Sequence, residues 1–403
     1  MLDLCLIQLP NPVLANPKMY NPLGILYLAA VVEKVGYTVE IADFRDGDIP
    51  LPEARFYGFS CTTPEIVKAK EIASQVSGQT IIGGAHPSLF PEDCIKHFDY
   101  VVRGEGEEVI TQILDGKYEP SVVITPRIKD VNKLPLPAWH KIKNPFTPTL
   151  FPGERYGTGE LAMTILASRG CPFKCAFCGN LLRRPMVYRS VESIVTEIVT
   201  LTEMGVRYFR FEDDNLTLHP QFNRLCSALK VLGISFKGHT RSDILTSHHA
   251  ELLKLAGMEE CGIGVESADD IVLGVNNKNE TAQQHRSAIH ILKSHGIRVK
   301  TYFMSGLPGE TDETIEINKQ FMADTKPDKW TLSTFTPYPG CDIFNNPNKY
   351  NIEINDWDFS KWWNFAEGHF VHTLKGQTQD QMWQRYLNFY TFLKGETWQS
   401  VAK

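Results

Sequence analysis

The sequence predicts an α/β protein: a doubly wound parallel-sheet domain, then a partial (β/α)6 barrel, then a helical, aromatic-rich tail. Three observations predict it. Short apolar runs alternate with helix-period segments in two separate series. A stretch rich in Pro, Lys and Asn divides the series. After Tyr338 the alternation gives way to aromatic residues. The division follows as 1–127, a linker 128–158, a barrel 159–340 and a helical C-terminal cap 341–403.

In the first series, "LDLCLIQLP", "TVEIADF", "RFYGFSC", "QTIIGGAH" and "YVVRGEG" read as strands. "NPLGILYLAAVVEKVG" is a helix closed by Gly36, "PEIVKAKEIASQV" is a second, and further helices start at Pro91 and Glu107. In such sheets ligands sit beyond the carboxyl ends of the strands. The second series has strands at "AMTILAS", "RYFRFED", "SFKGHT", "CGIGVES", "RVKTYFMSG" and "WTLSTF", with helices from Val191, Pro220, Thr246, Thr281 and Thr311. Its repeat of roughly 30 residues is that of a βα unit. The aromatic tail, with Trp357, Trp362, Trp363, Tyr386 and Trp398, is expected to pack as core over the open barrel; stacking on a flat substrate is the alternative.

Of the 403 residues, 42% are hydrophobic and 22% charged, the balance of a soluble globular protein. A net charge of -6 and a pI near 6.1 exclude a broad nucleic-acid-binding surface, though not a local basic channel. No apolar run reaches membrane-spanning length, and "MLDLCLIQLPNP" reads as a buried strand, not a signal peptide. Nine cysteines, six of them scattered singly, form no disulfide framework and point to a reducing, cytoplasmic setting.

The other three lie close together in "ASRGCPFKCAFCGN", directly after the first barrel strand, as Cys171-x3-Cys175-x2-Cys178. Thiolates bind iron–sulfur clusters, and a cubane has four irons, so three cysteines leave one iron open to chelate a ligand. Gly170 and Pro172 suit a loop bent around a bulky group, and Phe177 would shield it from water. A zinc site completed by His219 or His239 is the alternative; an ordinary ferredoxin would supply a fourth cysteine downstream in the same motif. Cys226 and Cys261 read as small buried hydrophobes.

This motif, placed after the first strand of a six-unit barrel, resembles the radical S-adenosylmethionine superfamily. The resemblance implies a [4Fe-4S] cluster on Cys171, Cys175 and Cys178. Its open iron holds the amino and carboxylate groups of S-adenosylmethionine, and one electron then releases a 5′-deoxyadenosyl radical. "FRFEDDNLTL", "GHTRSDIL", "GIGVESAD" and "MSGLPGET" resemble further family segments. They make Phe177, Glu212, Asp213, Asp214, Arg241, Glu266, Ser267, Gly306, Leu307 and Pro308 the candidate S-adenosylmethionine residues. A carboxylate among Glu212, Asp213 and Asp214 would bond the ammonium, and Arg241 would grip the carboxylate bidentately. Glu266 would bond ribose, while Gly306, Pro308 and Gly309 would let backbone approach adenine; Ser267 alternatively caps the next helix.

Upstream, "NPLGILYLAAVVEKVGYTVEIAD", "GFSCTTPEIVKAKEIA", "IIGGAHPSLFPED" and "DYVVRGEGE" resemble the N-terminal domain of cobalamin-binding members, and "TPYPGCDIF" resembles their barrel-closing segment, with Cys341 where Thr is usual. The candidate cobalamin residues are Gln8, Leu9, Ser60, Thr62, Thr63, Gly83, Gly84, Ala85, His86, Gly104 and Glu105. No Asp-x-His-x-x-Gly loop offers a cobalt ligand, as is usual in that subfamily. One departure stands out: "FRDGDIPLPEA" has two prolines where the family has a helix, so one sheet flank is expected to be bare, covered by a partner or unfit for cobalamin. The resemblance implies cobalamin-dependent methylation of an unactivated carbon of a small-molecule substrate, with flavodoxin or ferredoxin as electron donor. The rivals are a non-methylating rearrangement, cyclisation or oxidation, and a non-catalytic metal-binding or electron-transfer module.

Overall fold

The computed structural model describes every residue except 13, 15, 16, 19, 143–146, 149–160, 180–184, 364–367, 396–398 and 401–403. Much of the expected linker and Trp398 therefore lie outside the described residues. The chain forms two compact units: Met1–Thr164 with Phe359–Lys361, and Ile165–Asp358 with Trp362–Lys403.

The first unit is built on six parallel strands: β1 (Leu2–Gln8), β2 (Val39–Asp43), β3 (Ala54–Ser60), β4 (Gln79–Gly83), β5 (Tyr100–Arg103) and β6 (Val122–Ile124). Their spatial order is β2-β1-β3-β4-β5-β6. Because β1 is flanked by β2 on one side and β3 on the other, the chain reverses direction there, and a ligand crevice opens beyond the ends of β1 and β3. The strand β6 escaped the sequence reading, since three residues are too few to carry a period. Burying both faces explains the near-continuous apolar runs. Leu4, Leu6, Phe56 and Ile81 pack under Ile25, Ala29 and Val32 of helix Leu23–Lys34. On the other face Ile7, Tyr57, Phe59 and Ile82 meet Ile66, Ala69 and Ile72 of helix Ile66–Ala73.

The connection with two prolines forms only a single 3-10 turn, Phe44–Asp46. The bare flank is nevertheless a mistaken expectation: Phe44 and Leu51 from this connection pack on the same face as Tyr57 and Phe59, and Phe359 joins them. An extended segment with two well-spaced apolar side chains covers what a helix would have covered.

The second sheet contains β7 (Leu161–Ile165), β8 (Tyr208–Phe211), β9 (Ser235–Thr240), β10 (Met258–Glu266), β11 (Arg298–Ser305) and β12 (Lys329–Thr334), in sequential order. From β8 to β12 the pairing is parallel throughout. The intervening helices start where the sequence placed them, because Ser190, Thr246, Thr281 and Thr311 each accept a hydrogen bond from the third residue of the helix they cap. Phe209, Phe211, Phe236, Val299 and Phe303 are fully buried. The alternate residues Lys237, His239, Lys300 and Tyr302 are half-buried on the opposite face, the lumen side.

The tail divides: Phe370 and Leu374 join the apolar cluster of Ala176 and Leu307, while most of its long helix lies elsewhere. Its helix Gln379–Gly395 packs outside β11 and β12, with Phe389 against Phe303 and Tyr390 against Trp330. Gln399–Ser400 then pairs parallel with β12, so the helix serves as a crossover that extends the sheet. A two-stranded antiparallel pair, Ile352–Ile354 with His372–Leu374, precedes it. Trp362 is wholly buried, in line with the core-packing expectation, whereas Trp357 is 54% exposed.

Candidate functional site

The three-cysteine loop leaves the end of β7 at the carboxyl-end mouth of the second sheet. None of the three is in a disulfide, and all three are half-buried. Two polar groups approach them: Asn215 Nδ2 lies 3.5 Å from Cys171 Sγ, and Arg241 Nη1 3.6 Å from Cys175 Sγ. Burial pushes both thiols up, despite those donors and the positive charge of Arg241 and Lys278 near Cys175. A metal that takes sulfur as thiolate reverses this preference.

The loop is braced from three sides. Ala176 N donates to Asn276 O at 2.8 Å, and Asn276 Nδ2 in turn donates to Pro308 O at 2.8 Å. Ile343 N, from the barrel-closing segment, donates to Ala176 O at 3.2 Å. Phe177 packs in one apolar cluster with Leu307, Phe335 and Phe370. The zinc alternative fails on geometry. His219 Nε2 is bonded to Arg189 O at 2.9 Å and His239 Nε2 to Tyr302 Oη at 3.2 Å. Among the described residues, the His, Cys, Asp or Glu group whose ligand atoms converge within 4.8 Å is His86, Asp93 and Cys94, not the loop thiols.

The acidic segment after β8 divides by role. Asp213 is buried and turned away from the mouth: it accepts from Ala167 N at 2.9 Å and Ser168 Oγ at 2.5 Å, tying the first barrel strand to the second. Burial pushes its carboxyl up to about 6. Glu212 is half-buried and Asp214 exposed. The sequence reading passed over Asn215, whose buried Oδ1 has no hydrogen-bond partner among the described residues. Its place in the quoted "EDDN" was the available signal.

Arg241 does not have the fork free that the sequence reading gave it. Nε and Nη2 are held by Asp243 at 2.9 and 3.0 Å, Nη2 also reaches Lys278 O at 2.9 Å, and Phe173 stacks 3.8 Å from the guanidinium carbon. Only Nη1 faces the cluster loop. Two residues missing from the expectations complete this network. Lys278 Nζ lies 3.5 Å from Glu266 and 3.1 Å from Glu280, which itself lies 3.3 Å from Arg241. Glu280 also accepts from Ser242 N at 2.7 Å. Lys278 and Glu280 follow the short helix Asp270–Val275, outside any segment the motif reading used.

Glu266 ends β10 with φ +63, a conformation uncommon for a side chain other than Asn, Asp or Gly. Its carboxyl, pushed up chiefly by burial, is half-buried beside Lys278. Ser267 turns inward instead, accepting from Asp269 N at 3.2 Å beside Asn318; it does not cap the next helix, whose N-cap is Asp269, accepting from Ile271 N at 2.9 Å. Gly306 has φ +87, and a Cβ there would lie 2.5 Å from Phe370 Cε1. The tail therefore leaves no room for a side chain here. Leu307 is buried and Pro308 braces the cluster loop through Asn276.

In the first unit the candidates line the strand ends unevenly. Gln8, Ser60, Gly83 and Gly84 are half-buried, Thr62 and Ala85 exposed, Leu9 buried. Gly84 has φ +104, and a Cβ would sit 2.8 Å from Cys61 backbone atoms. His86 is fully buried, its Nδ1 3.3 Å from Thr63 Oγ1 and its ring edge-on to Phe359 at 5.1 Å. Glu105 is already engaged: Arg127 Nη1 and Ile128 N donate to it, each at 2.5 Å. Gly104 is confined by Thr125, 2.3 Å from a Cβ built there.

Residues 165–322 match the Radical SAM superfamily model, and residues 16–114 match the B12 binding domain. The chain thus carries a radical SAM domain and a B12-binding domain. It is 28% identical to the anaerobic magnesium-protoporphyrin IX monomethyl ester cyclase of Rubrivivax gelatinosus, over 92% of this chain and 74% of that protein. It is 26% identical to the uncharacterized methyltransferase PH0819 of Pyrococcus horikoshii, over 92% of this chain and 87% of the relative. Among solved structures, the radical S-adenosylmethionine methyltransferase TsrM of Kitasatospora setae, with cobalamin and a [4Fe-4S] cluster bound, shares the fold with a TM-score of 0.73. The identity there is 14%, over 97% of this chain and 89% of that one.

The cofactors of this radical S-adenosylmethionine enzyme are a [4Fe-4S] cluster, S-adenosylmethionine and cobalamin. The residues present fit the first two: three thiols braced as above, and an orphaned Asn215 Oδ1 with a half-buried Glu266 carboxyl beside them. For cobalamin, Ser60 and Thr62 stand as small residues at the end of β3, while His86 is fully buried. No helix among the described residues is long and apolar enough to cross a membrane.

Proposed function

We propose that the protein is a cobalamin-dependent radical methyltransferase acting on an unactivated carbon of a small-molecule substrate. The observation that carries it is the pairing, in one chain, of the braced three-thiol loop beside Asn215 with a B12-binding domain. When bound, the cofactors supply hydrogen abstraction by a deoxyadenosyl radical and delivery of a methyl group. Cys171, Cys175 and Cys178 hold the cluster, and Asn215 and Glu266 orient the nucleotide by hydrogen bonding. Arg241, fixed by Asp243, presents one N–H to Cys175 and lowers the charge at that corner. Phe177, Leu307 and Phe370 keep water from the loop. Ser60, Thr62 and Gly83 line the corrin crevice. A flavodoxin or ferredoxin delivers the electrons, and nine cysteines outside any disulfide suit a reducing cytoplasm.

Product analysis tests the reading. Methylation by this route yields S-adenosylhomocysteine and 5′-deoxyadenosine together, whereas a non-methylating reaction, the reading favoured by the cyclase relative, yields deoxyadenosine alone. Cys175→Ala is expected to lose the cluster iron, about four per chain, and with it all reductive cleavage. Retention of both would overturn the assignment of the loop.

A further inference from the structure

Below the layer of Arg241, Glu266 and Lys278, the inward positions of the barrel strands carry a second polar layer that the proposed reaction leaves without a task. It comprises Arg210 on β8 and Glu212 just after it, Lys237 and His239 on β9, Glu260 on β10, Lys300 and Tyr302 on β11, and Lys329 on β12. The register aligns them: Arg210 pairs with Lys237, Lys237 with Glu260, and Lys300 with Lys329. His239 lies two residues before Arg241, which directly follows β9, hence roughly 7 Å deeper.

The charges do not balance. Four cations, Arg210, Lys237, Lys300 and Lys329, face two carboxylates, Glu212 and Glu260. Glu260 and Lys329 neutralise each other in a 2.6 Å ion pair with side chains 4% and 3% exposed, which closes the floor. Arg210 Nε reaches Glu212 at 3.8 Å. Lys300 has no such partner. Its ammonium lies 4.7 Å from the centre of the Tyr302 ring and makes no hydrogen bond or ion pair with any described residue. Burial and the neighbouring Lys237 depress it to about 8. A half-buried ammonium without an acceptor is costly unless something anionic arrives.

Glycines let these side chains pack side by side: a Cβ at Gly262 would lie 2.4 Å from His239 Cδ2 and 2.9 Å from Tyr302 Cε2, and one at Gly264 2.5 Å from Glu266 Oε1. Lys237, His239, Lys300 and Tyr302 each keep part of their surface exposed.

We propose that this layer is an oxyanion subsite, and that the substrate carries a carboxylate or phosphate held by Lys300 and Lys237, with Tyr302 and His239 as hydrogen-bonding neighbours. This rests on the methyltransferase reading for the word substrate, but the anion site does not. The test uses the reconstituted holoenzyme at pH 8 and a trace of succinimidyl acetate, an amine-acylating reagent. Acetylation of Lys300 is quantified by mass spectrometry against the exposed Lys230. Inorganic phosphate, benzoate and neutral benzamide are the three competitors. A competitor at tenfold its dissociation constant is expected to slow Lys300 labelling about tenfold, with Lys230 unchanged. Protection by phosphate alone identifies a phosphate-bearing substrate, and protection by benzoate alone a carboxylate. Protection by neither, or equal protection by benzamide, overturns the proposal. S-adenosylmethionine cleavage measured in the same samples keeps the two readings apart. Unprotected Lys300 with intact cleavage removes the subsite only, whereas protected Lys300 without cleavage removes the radical reading and leaves the subsite.

Discussion

At the scale of single residues, neighbouring side chains in one motif have separate tasks set by which way each points. Asp213 and Asn215 stand two residues apart, yet one braces strands and the other faces the cluster loop. Asn215→Ala is therefore expected to weaken S-adenosylmethionine binding about tenfold, the loss of roughly one hydrogen bond to a charged group, while iron content stays constant; equilibrium dialysis against labelled nucleotide measures it. Asp213 makes a different prediction. Its folded-state value of about 6 exceeds the ~3.9 of an unfolded chain. Between those pH values the folded protein holds a proton that the unfolded chain has released. Stability from this group is thus full below pH ~4 and falls as pH rises through about 6, by roughly 3 kcal/mol at most. Denaturant midpoints across that window should slope downward in the wild type and be flat in Asp213→Asn.

At the scale of elements, the loop after β11 shows how a small-residue motif acquires its reason from afar. Phe370 occupies the space a Cβ at Gly306 would need, and His372 Nε2 donates to Gly306 O at 2.9 Å. Glu310 closes the loop by accepting from Ser305 Oγ and Gly306 N, each at 3.0 Å. Gly306→Ala combines a positive φ with that clash, so a loss of about 1–3 kcal/mol is expected from backbone strain alone. In a Phe370→Ala background the increment should shrink, because the contact has gone and only the strain remains. Chemical denaturation of the four proteins of that cycle checks the claim; an unchanged increment would mean Phe370 is irrelevant.

At the scale of the whole molecule, a three-residue piece of the tail belongs to the first unit, where Phe359 covers His86 together with Phe90. Burial holds His86 down at about 4. Phe359→Ala opens that cover, so the His86 value should rise toward the ~6.5 of a free imidazole, read from its ring resonances in an NMR titration. A value that stays near the buried one would show that Phe90 suffices. Local signals were strong enough for the sequence by itself to determine much of this protein: the six βα units of the barrel, the helix starts at Ser190, Thr246, Thr281 and Thr311, and the spacing of Cys171, Cys175 and Cys178 all depend on residues near one another in the chain. Tertiary structure alone decided what depends on distant partners. It turned Asp213 inward, gave the fork of Arg241 to Asp243, engaged Glu105 with Arg127, brought in Lys278 and Glu280, and set the tail helix outside the barrel. A motif fixes which groups are present at a strand end; only packing from elements far away in sequence fixes which of them keep a free donor or acceptor.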